Sequence, residues 1–168
     1  MSNGINAIFS SFEYSYHITI NRSFFKQYFV ASLVSIFLAL LLLLTIVIIV
    51  FSEQFIWDLS KEEFLSNGVF WVETIRSIIF IILVYFVIAI LYYFGIKKGK
   101  SIRFFSIGAF VTTMLFVVTT YLFGVYITNF SNYNELYGSI GALLILMLYI
   151  WINSNLLLLG FELNATLK

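Results

Sequence analysis

Long uncharged segments alternate with short charged ones along this chain. The uncharged segments are Phe29–Phe51, Ser77–Ile96, Phe104–Ile127 and Leu136–Phe161, and each is at least 20 residues long. At about 1.5 Å of helical rise per residue, a helix of roughly 20 residues covers the roughly 30 Å hydrocarbon core of a bilayer. The pattern predicts an all-α polytopic membrane protein with four transmembrane helices, spanning about 29–51, 77–96, 104–127 and 138–161.

A second pattern lies in residues 1–28, which precede the first span. A set of apolar and aromatic residues recurs there at steps of three and four: Ile5, Ile8, Phe9, Phe12 and Tyr16. These residues share one face of a helix. The face predicts either a short amphipathic helix at the membrane surface or a helix packed against other protein, and the pattern fits both. The connection 52–76 mixes acidic and aromatic residues, which predicts another short interfacial helix.

The distribution of positive charge predicts the orientation. Lys and Arg gather on one side of the predicted membrane, in residues 1–28, between the second and third spans and at Lys168. The opposite side holds Lys61 and Arg76 among several acidic residues. Because short cytoplasmic loops carry the excess of positive charge, both termini are predicted to lie in the cytoplasm.

Composition narrows the classes of function. Hydrophobic residues make up 62% and charged residues 10% of the chain, whereas about a quarter of residues in soluble proteins are charged. The net charge of +1 gives no basis for binding nucleic acid, and the absence of cysteine excludes disulfides and thiolate metal sites. The single histidine, His17, and the scattered acidic residues form no metal-binding or acid–base pattern. We therefore predict a non-enzymatic protein without cofactors.

Small, hydroxyl and amide residues predict where helices pack. The first two spans are almost entirely large and apolar, which predicts that they are the more lipid-exposed pair. The third span carries a stripe of Ala109, Thr113, Thr120 and Gly124. The fourth carries Ala142, Asn153, Gly160 and Asn164, with Gly138 and Gly141 near its start. These stripes predict close packing of the third and fourth spans, with amide hydrogen bonds across the contact worth about 0.6 to 2 kcal/mol each.

Four polar residues in the fourth span are candidates for function. Asn153 and Asn155 lie near the middle of the span, where polar groups usually face protein or water. They predict either part of a polar solute path or hydrogen bonds that hold helices together, and Asn164 has the same two interpretations. Glu162 lies at the predicted cytoplasmic edge, where a carboxylate pairs with Arg103 or Lys100, receives a proton or cation, or reaches interfacial water.

The C-terminal segment also carries a specific motif. Tyr137 precedes Gly-Ser-Ile-Gly at residues 138–141, and residues 158–165 are Leu-Leu-Gly-Phe-Glu-Leu-Asn-Ala. This segment resembles the closing motif of the YihY/BrkB family of bacterial inner-membrane proteins, although Ile107-Gly108 stands where the family usually has Pro-Gly. The resemblance covers essentially the whole chain. Because family members usually have six spans, it implies that this chain corresponds to the C-terminal four, in a bacterial inner membrane.

The resemblance leaves two classes of function. The first is part of a transporter or exporter, with a polar path along the third and fourth spans. The second is a non-catalytic envelope scaffold or partner-binding membrane protein. Either class implies as partners the lipid bilayer and either further copies of the chain or a protein that supplies two further spans. Some family members have been labelled ribonuclease BN, but these residues give that label no support.

Overall fold

The protein consists of long helices connected by short segments. The computed structural model describes residues 2–15, 24–61, 66–95, 104–129 and 133–167. Its helices are α1 (Ser2–Ser15), α2 (Phe24–Lys61), α3 (Ser66–Gly95), α4 (Ile107–Asn129) and α5 (Tyr133–Thr166). Four of them are long and apolar enough to cross a membrane, at Phe25–Gln54, Phe70–Gly95, Ile107–Thr128 and Gly141–Asn164. The predicted class, all-α with four transmembrane helices, is confirmed.

The connection 52–76 differs from the prediction. The expected separate interfacial helix in 52–76 is absent from the described residues of that connection, because α2 continues to Lys61 and α3 already begins at Ser66. Charged residues are unfavourable in hydrocarbon but not in a helix that projects beyond it. The change from apolar to charged sequence therefore marks where the hydrocarbon ends rather than where the helix ends.

Contacts among the helices are concentrated at one end of the bundle. Helix α2 packs on α3, α4 packs on α5, and α3 also meets α4, while α1 lies against α2, α3 and α5. The buried residues occupy the N-terminal half of α2, the C-terminal parts of α3 and α5, and the first turns of α4. We call this end of the bundle the closed end.

The opposite half of the bundle, which we call the open end, is packed more sparsely. None of the described side chains in 36–54, 70–87, 114–128 and 141–152 is fully buried. Helix α5 shows the pattern, since Ile145, Tyr149 and Ile152 are half-buried and the residues between them are exposed. Helix α5 therefore has a single packed face at the open end.

Burial corrects one prediction about lipid exposure. The second span was expected to face lipid, yet α3 has the largest buried share of the four spans, 33% of its most apolar window. Ile88 to Tyr92 are all buried at the closed end, between α1, α2 and α4. Lipid tails are as apolar as Leu or Ile, so composition alone does not distinguish a helix that faces lipid from one inside the bundle.

Helix α1 packs against the bundle through the predicted face. Ile5, Phe9 and Phe12 are buried and belong to the same apolar cluster as Tyr92 and Phe161. Of the two predicted roles for this face, the structure shows packing against protein; its position at the membrane surface stays a prediction. Tyr16, the last residue of the pattern, lies outside the described residues.

Candidate functional site

The most connected polar group of the closed end surrounds Tyr92. Its phenolic hydroxyl lies 2.7 Å from the carbonyl oxygen of Leu157 and 2.8 Å from Oγ1 of Thr112. Thr112 Oγ1 also lies 2.7 Å from the carbonyl oxygen of Gly108. Tyr92 and Thr112 each have one hydroxyl hydrogen, so two hydrogens are shared among these three short contacts. The cluster therefore joins α3, α4 and α5 through one buried hydrogen-bond chain.

The start of α4 is capped from within the bundle. Ser106 precedes the helix, and its hydroxyl accepts a hydrogen bond from the Ala109 amide at 3.3 Å. The Asn164 side chain of α5 accepts one from the Gly108 amide at 2.7 Å and donates one to Ser106 Oγ at 2.9 Å. The first amides of a helix lack intrahelical partners, and an unpaired amide is costly away from water. Asn164 is thus a capping residue supplied by a neighbouring helix.

Two glycines allow α4 and α5 to approach this closely. A Cβ atom added to Gly108 would collide with the carbonyl oxygen of Gly160 and with the Asn164 side chain. One added to Gly160 would collide with Thr112 Oγ1 and with the Tyr92 hydroxyl. Any larger residue at either position would separate the helices and break the hydrogen bonds.

Aromatic rings enclose this hydroxyl–amide cluster, which consists of Tyr92, Ser106, Thr112 and Asn164. Phe12 of α1 stacks on Phe161 with ring centroids 4.1 Å apart and meets Tyr92 edge-on at 5.7 Å. Tyr92, Thr112 and Asn164 are all at least nine-tenths buried. Ser106 is half-buried, and the polar groups of the cluster bond to one another, which is typical of helix packing rather than of a reacting centre.

The predicted packing stripe is buried only near the closed end. Ala109 and Thr113 are buried, and Thr113 Oγ1 donates to the carbonyl oxygen of Ala109. Further along α4, Thr120 is exposed, although its hydroxyl lies 2.9 Å from that of Tyr149 on α5. Gly124 is also exposed, and an added Cβ would meet no atom within 4 Å, so no close helix contact depends on this glycine.

The predicted stripe of the fourth span is likewise buried only towards the closed end. Gly160 and Asn164 are buried, whereas Gly141 is half-buried and Ala142 is exposed. The surroundings of Gly138 lie outside the described residues. Close approach of α4 and α5 is therefore concentrated at Gly108 and Gly160, although the stripes were expected to run along both spans.

The candidate path residues do not share a cavity in the described part of the chain. Asn153 is 9% exposed, and its Nδ2 donates to the carbonyl oxygen of Tyr149 in its own helix. Asn155 and Glu162 are exposed on another face of α5. Asn164 alone among the predicted amides forms hydrogen bonds to a residue of another helix, at Gly108. The other three candidates, Asn153, Asn155 and Glu162, do not converge on one another.

Several residues of the cluster were missing from the sequence-based candidates. Tyr92 is one aromatic residue among many in α3, and Ser106 precedes the helix that it caps. Gly108 and Thr112 are four residues apart, one position before the predicted pair Ala109 and Thr113. That second i, i+4 pair of small residues was the available signal. No sequence pattern identifies Tyr92, because its role depends on residues 20 and 65 positions away.

The described residues include no group of three or more His, Cys, Asp or Glu side chains that could hold a metal ion. His17 lies outside the described residues. A surface groove at the start of α2, lined by Phe25, Tyr28, Phe29 and Ser32, includes none of the candidate path residues.

Comparison with known proteins places this architecture in a family. A ribonuclease-like protein, YfkH, of Bacillus subtilis is 31% identical over 171 aligned residues, which cover 99% of this chain and 61% of the relative. A UPF0761 membrane protein of Idiomarina loihiensis is 27% identical over 123 residues, and one of Psychrobacter sp. is 34% identical over 77 residues. These alignments cover 70% and 46% of this chain, and 41% and 14% of the respective relatives. The chain thus spans about three fifths of the first relative and less of the other two.

No solved structure matches the chain. The family profile described as virulence factor BrkB matches residues 1–168, the whole sequence. That match agrees with the four apolar helices and with the resemblance in the C-terminal motif. The chain therefore belongs to the YihY/BrkB family of membrane proteins.

Proposed function

We propose that this chain is a non-catalytic component of a larger membrane assembly, in which further transmembrane helices pack against the open end. The observation that carries the proposal is the unequal packing of the two ends. At the closed end, helices share buried polar contacts, whereas at the open end none of the described side chains is fully buried. Helices with one packed face offer the remaining faces to lipid or to other helices.

The length of the relatives supports the same proposal. Two fifths of the Bacillus subtilis relative has no counterpart in this chain, and the alignments cover still smaller shares of the UPF0761 relatives. Additional spans in those proteins would have to pack beside the four helices seen here. We infer that the assembly lies in a bacterial inner membrane, with the closed end and both termini on the cytoplasmic side, because Lys and Arg gather on that side.

The mass of the particle in its native lipids tests this proposal. The protein would be extracted from cell membranes with a lipid-solubilising polymer and measured by native mass spectrometry. We expect particles that contain two or more polypeptides and therefore exceed the 19.4 kDa of one chain. Particles that hold a single chain at every expression level would contradict the proposal.

A second candidate function, transport, rests on Asn153. Its Oδ1 is buried and accepts no hydrogen bond from the described residues, although the residue lies near the middle of the membrane span. An unpaired acceptor is costly in hydrocarbon, so a further polar group is expected beside it. A polar uncharged solute or a helix of the assembly would supply that group once local opening of the bundle exposes the atom.

Measurement of solute flux distinguishes a solute from a helix as the polar partner of Asn153. The assembly would be reconstituted in vesicles, with and without a chain that supplies two further spans, and assayed with small uncharged solutes such as glycerol and urea. If Asn153 lines a path, Asn153→Leu abolishes flux while the exposed neighbour Ser154→Ala leaves it unchanged. Equal flux in both variants, or none in the unmodified assembly, would remove transport from consideration.

A further inference from the structure

The outward face of α5 carries a regular stripe. Its members recur at steps of four, three, four and four residues and lie on one side of the helix: Leu144, Leu148, Trp151, Asn155 and Leu159. All of them are exposed; Trp151 is 65% and Leu148 45% exposed. This Asn155 stripe has the spacing of a helix–helix seam, in which positions three and four residues apart face a partner helix.

Asn155 is the polar residue of the stripe and lies well inside the span Gly141–Asn164. Its Nδ2 donates one hydrogen bond to the carbonyl oxygen of Trp151 at 2.7 Å. A carboxamide has a second N–H and an acceptor oxygen. Within the described ranges no other residue bonds to these groups, so they face outward into the hydrocarbon. Polar groups at that depth almost always face protein or water.

We propose that a second copy of this chain covers the Asn155 stripe, with the two Asn155 side chains facing each other across a two-fold axis. This inference rests on the proposed function and names the partner. A carboxamide is both donor and acceptor, so two of them related by a two-fold axis form two reciprocal hydrogen bonds. No charged side chain lies between Leu144 and Leu159, and Glu162 continues the stripe only where it reaches the membrane edge. A polar residue among apolar seam positions also fixes the register of two helices.

Cross-linking between copies tests the geometry. The chain has no cysteine, so a single introduced thiol has no background. Leu148→Cys and Leu159→Cys lie on the stripe, whereas Ile150→Cys lies at a similar depth on another face with 55% exposure. In native membranes treated with a short bifunctional thiol reagent, we expect a covalent dimer for the two stripe variants and none for Ile150→Cys.

Association measured by energy transfer tests the role of the amide. Copies labelled with donor and acceptor dyes would be mixed in phosphatidylethanolamine–phosphatidylglycerol vesicles at increasing dilution in lipid. Asn155→Leu is expected to weaken association roughly 5- to 30-fold, because it removes the reciprocal hydrogen bonds. Ser154→Ala, at the adjacent exposed position, is expected to leave association unchanged, since its hydroxyl bonds to its own helix.

The outcomes separate this inference from the proposed function. If the stripe thiols link to a protein of a different mass and not to each other, the second copy is excluded while a larger assembly remains. If Ile150→Cys links as well as the stripe variants, or if Asn155→Leu associates as strongly as the unmodified chain, this interface is overturned. If no variant forms a product and the native particle holds a single chain, both proposals are wrong.

Discussion

At the closed end, the space around a position limits the size of the side chain that fits there. Gly160 lies against Thr112 and the Tyr92 hydroxyl, and Gly108 lies against Gly160 and Asn164. Because buried hydrogen bonds need close and specific geometry, the glycines and the hydroxyls depend on one another. The small size of Gly160 is therefore a requirement of the Tyr92–Thr112 contact.

A methyl group at Gly160 is expected to destabilise the fold. Gly160→Ala would force Thr112 and Tyr92 apart and lower the free energy of unfolding by roughly 1 to 3 kcal/mol. Gly124→Ala is the matched control, since an added Cβ there would meet no atom within 4 Å. Titration with denaturing detergent, followed by circular dichroism, measures both variants. Equal shifts for the two would contradict the packing described at Gly160.

Removal of one hydroxyl tests the buried hydrogen-bond chain. Tyr92→Phe keeps the ring but leaves the Leu157 carbonyl and Thr112 without the phenolic partner. We expect a loss of about 1 kcal/mol in the free energy of unfolding, measured in the same detergent titration. Tyr93→Phe, at a residue 49% exposed, should have no comparable effect. If Tyr92→Phe leaves the free energy of unfolding unchanged, the contacts contribute no net stability.

Among the elements, α1 has a role that its sequence left open. Phe12 lies between Tyr92 of α3 and Phe161 of α5, and its ring occupies the space that a side chain at Gly95 would fill. Tyr28 of α2 adds a hydrogen bond of 3.1 Å to Asn3. Helix α1 therefore covers the closed end and contacts α2, α3 and α5.

Truncation of Phe12 is expected to release α1 from the bundle. Phe12→Ala removes a stacked, fully buried ring, a change that usually costs about 3 to 5 kcal/mol. Hydrogen exchange of the amides in Ser2–Ser15 should accelerate, while the middle of α3 keeps its protection. Tyr14→Ala serves as the control because Tyr14 is 90% exposed. Unchanged exchange in Phe12→Ala would mean that α1 is held by other contacts.

At the scale of the whole molecule, the two ends differ in packing and in charge. The closed end has buried polar contacts and lies where positive charge gathers along the sequence; the open end lies on the side of Glu53 and Asp58. A bundle sealed at one end is suited to assembly with further helices at the other.

The orientation of the molecule can be measured with an impermeant thiol reagent. If both termini are cytoplasmic, Tyr14→Cys in intact cells stays unlabelled until the membrane is permeabilised. Glu53→Cys, exposed on the other side, is expected to react without permeabilisation. The absence of native cysteine gives both measurements a clean background. The reverse labelling pattern would exclude a cytoplasmic closed end.

The sequence by itself determined the class, the number of spans and the family. Charge is expensive in hydrocarbon, so the uncharged runs located all four spans, and the motif ending in Ala165 indicated the family. Helix ends were less accurate: α2 continues to Lys61 because extending an existing helix costs little, whereas nucleating one is costly. The start of α4 shifted to Ile107, since Ser106 and Asn164 cap it there.

Only the tertiary structure decided which of these residues meet. Apolar side chains face lipid or protein at nearly the same free energy, so the sequence does not reveal that α3 is more buried than α5. The contact of Tyr92 with Thr112 and Leu157 joins three helices, and it depends on how those helices are arranged rather than on any local pattern. The arrangement likewise separated Asn153, which is buried, from Asn155, which faces outward two residues later.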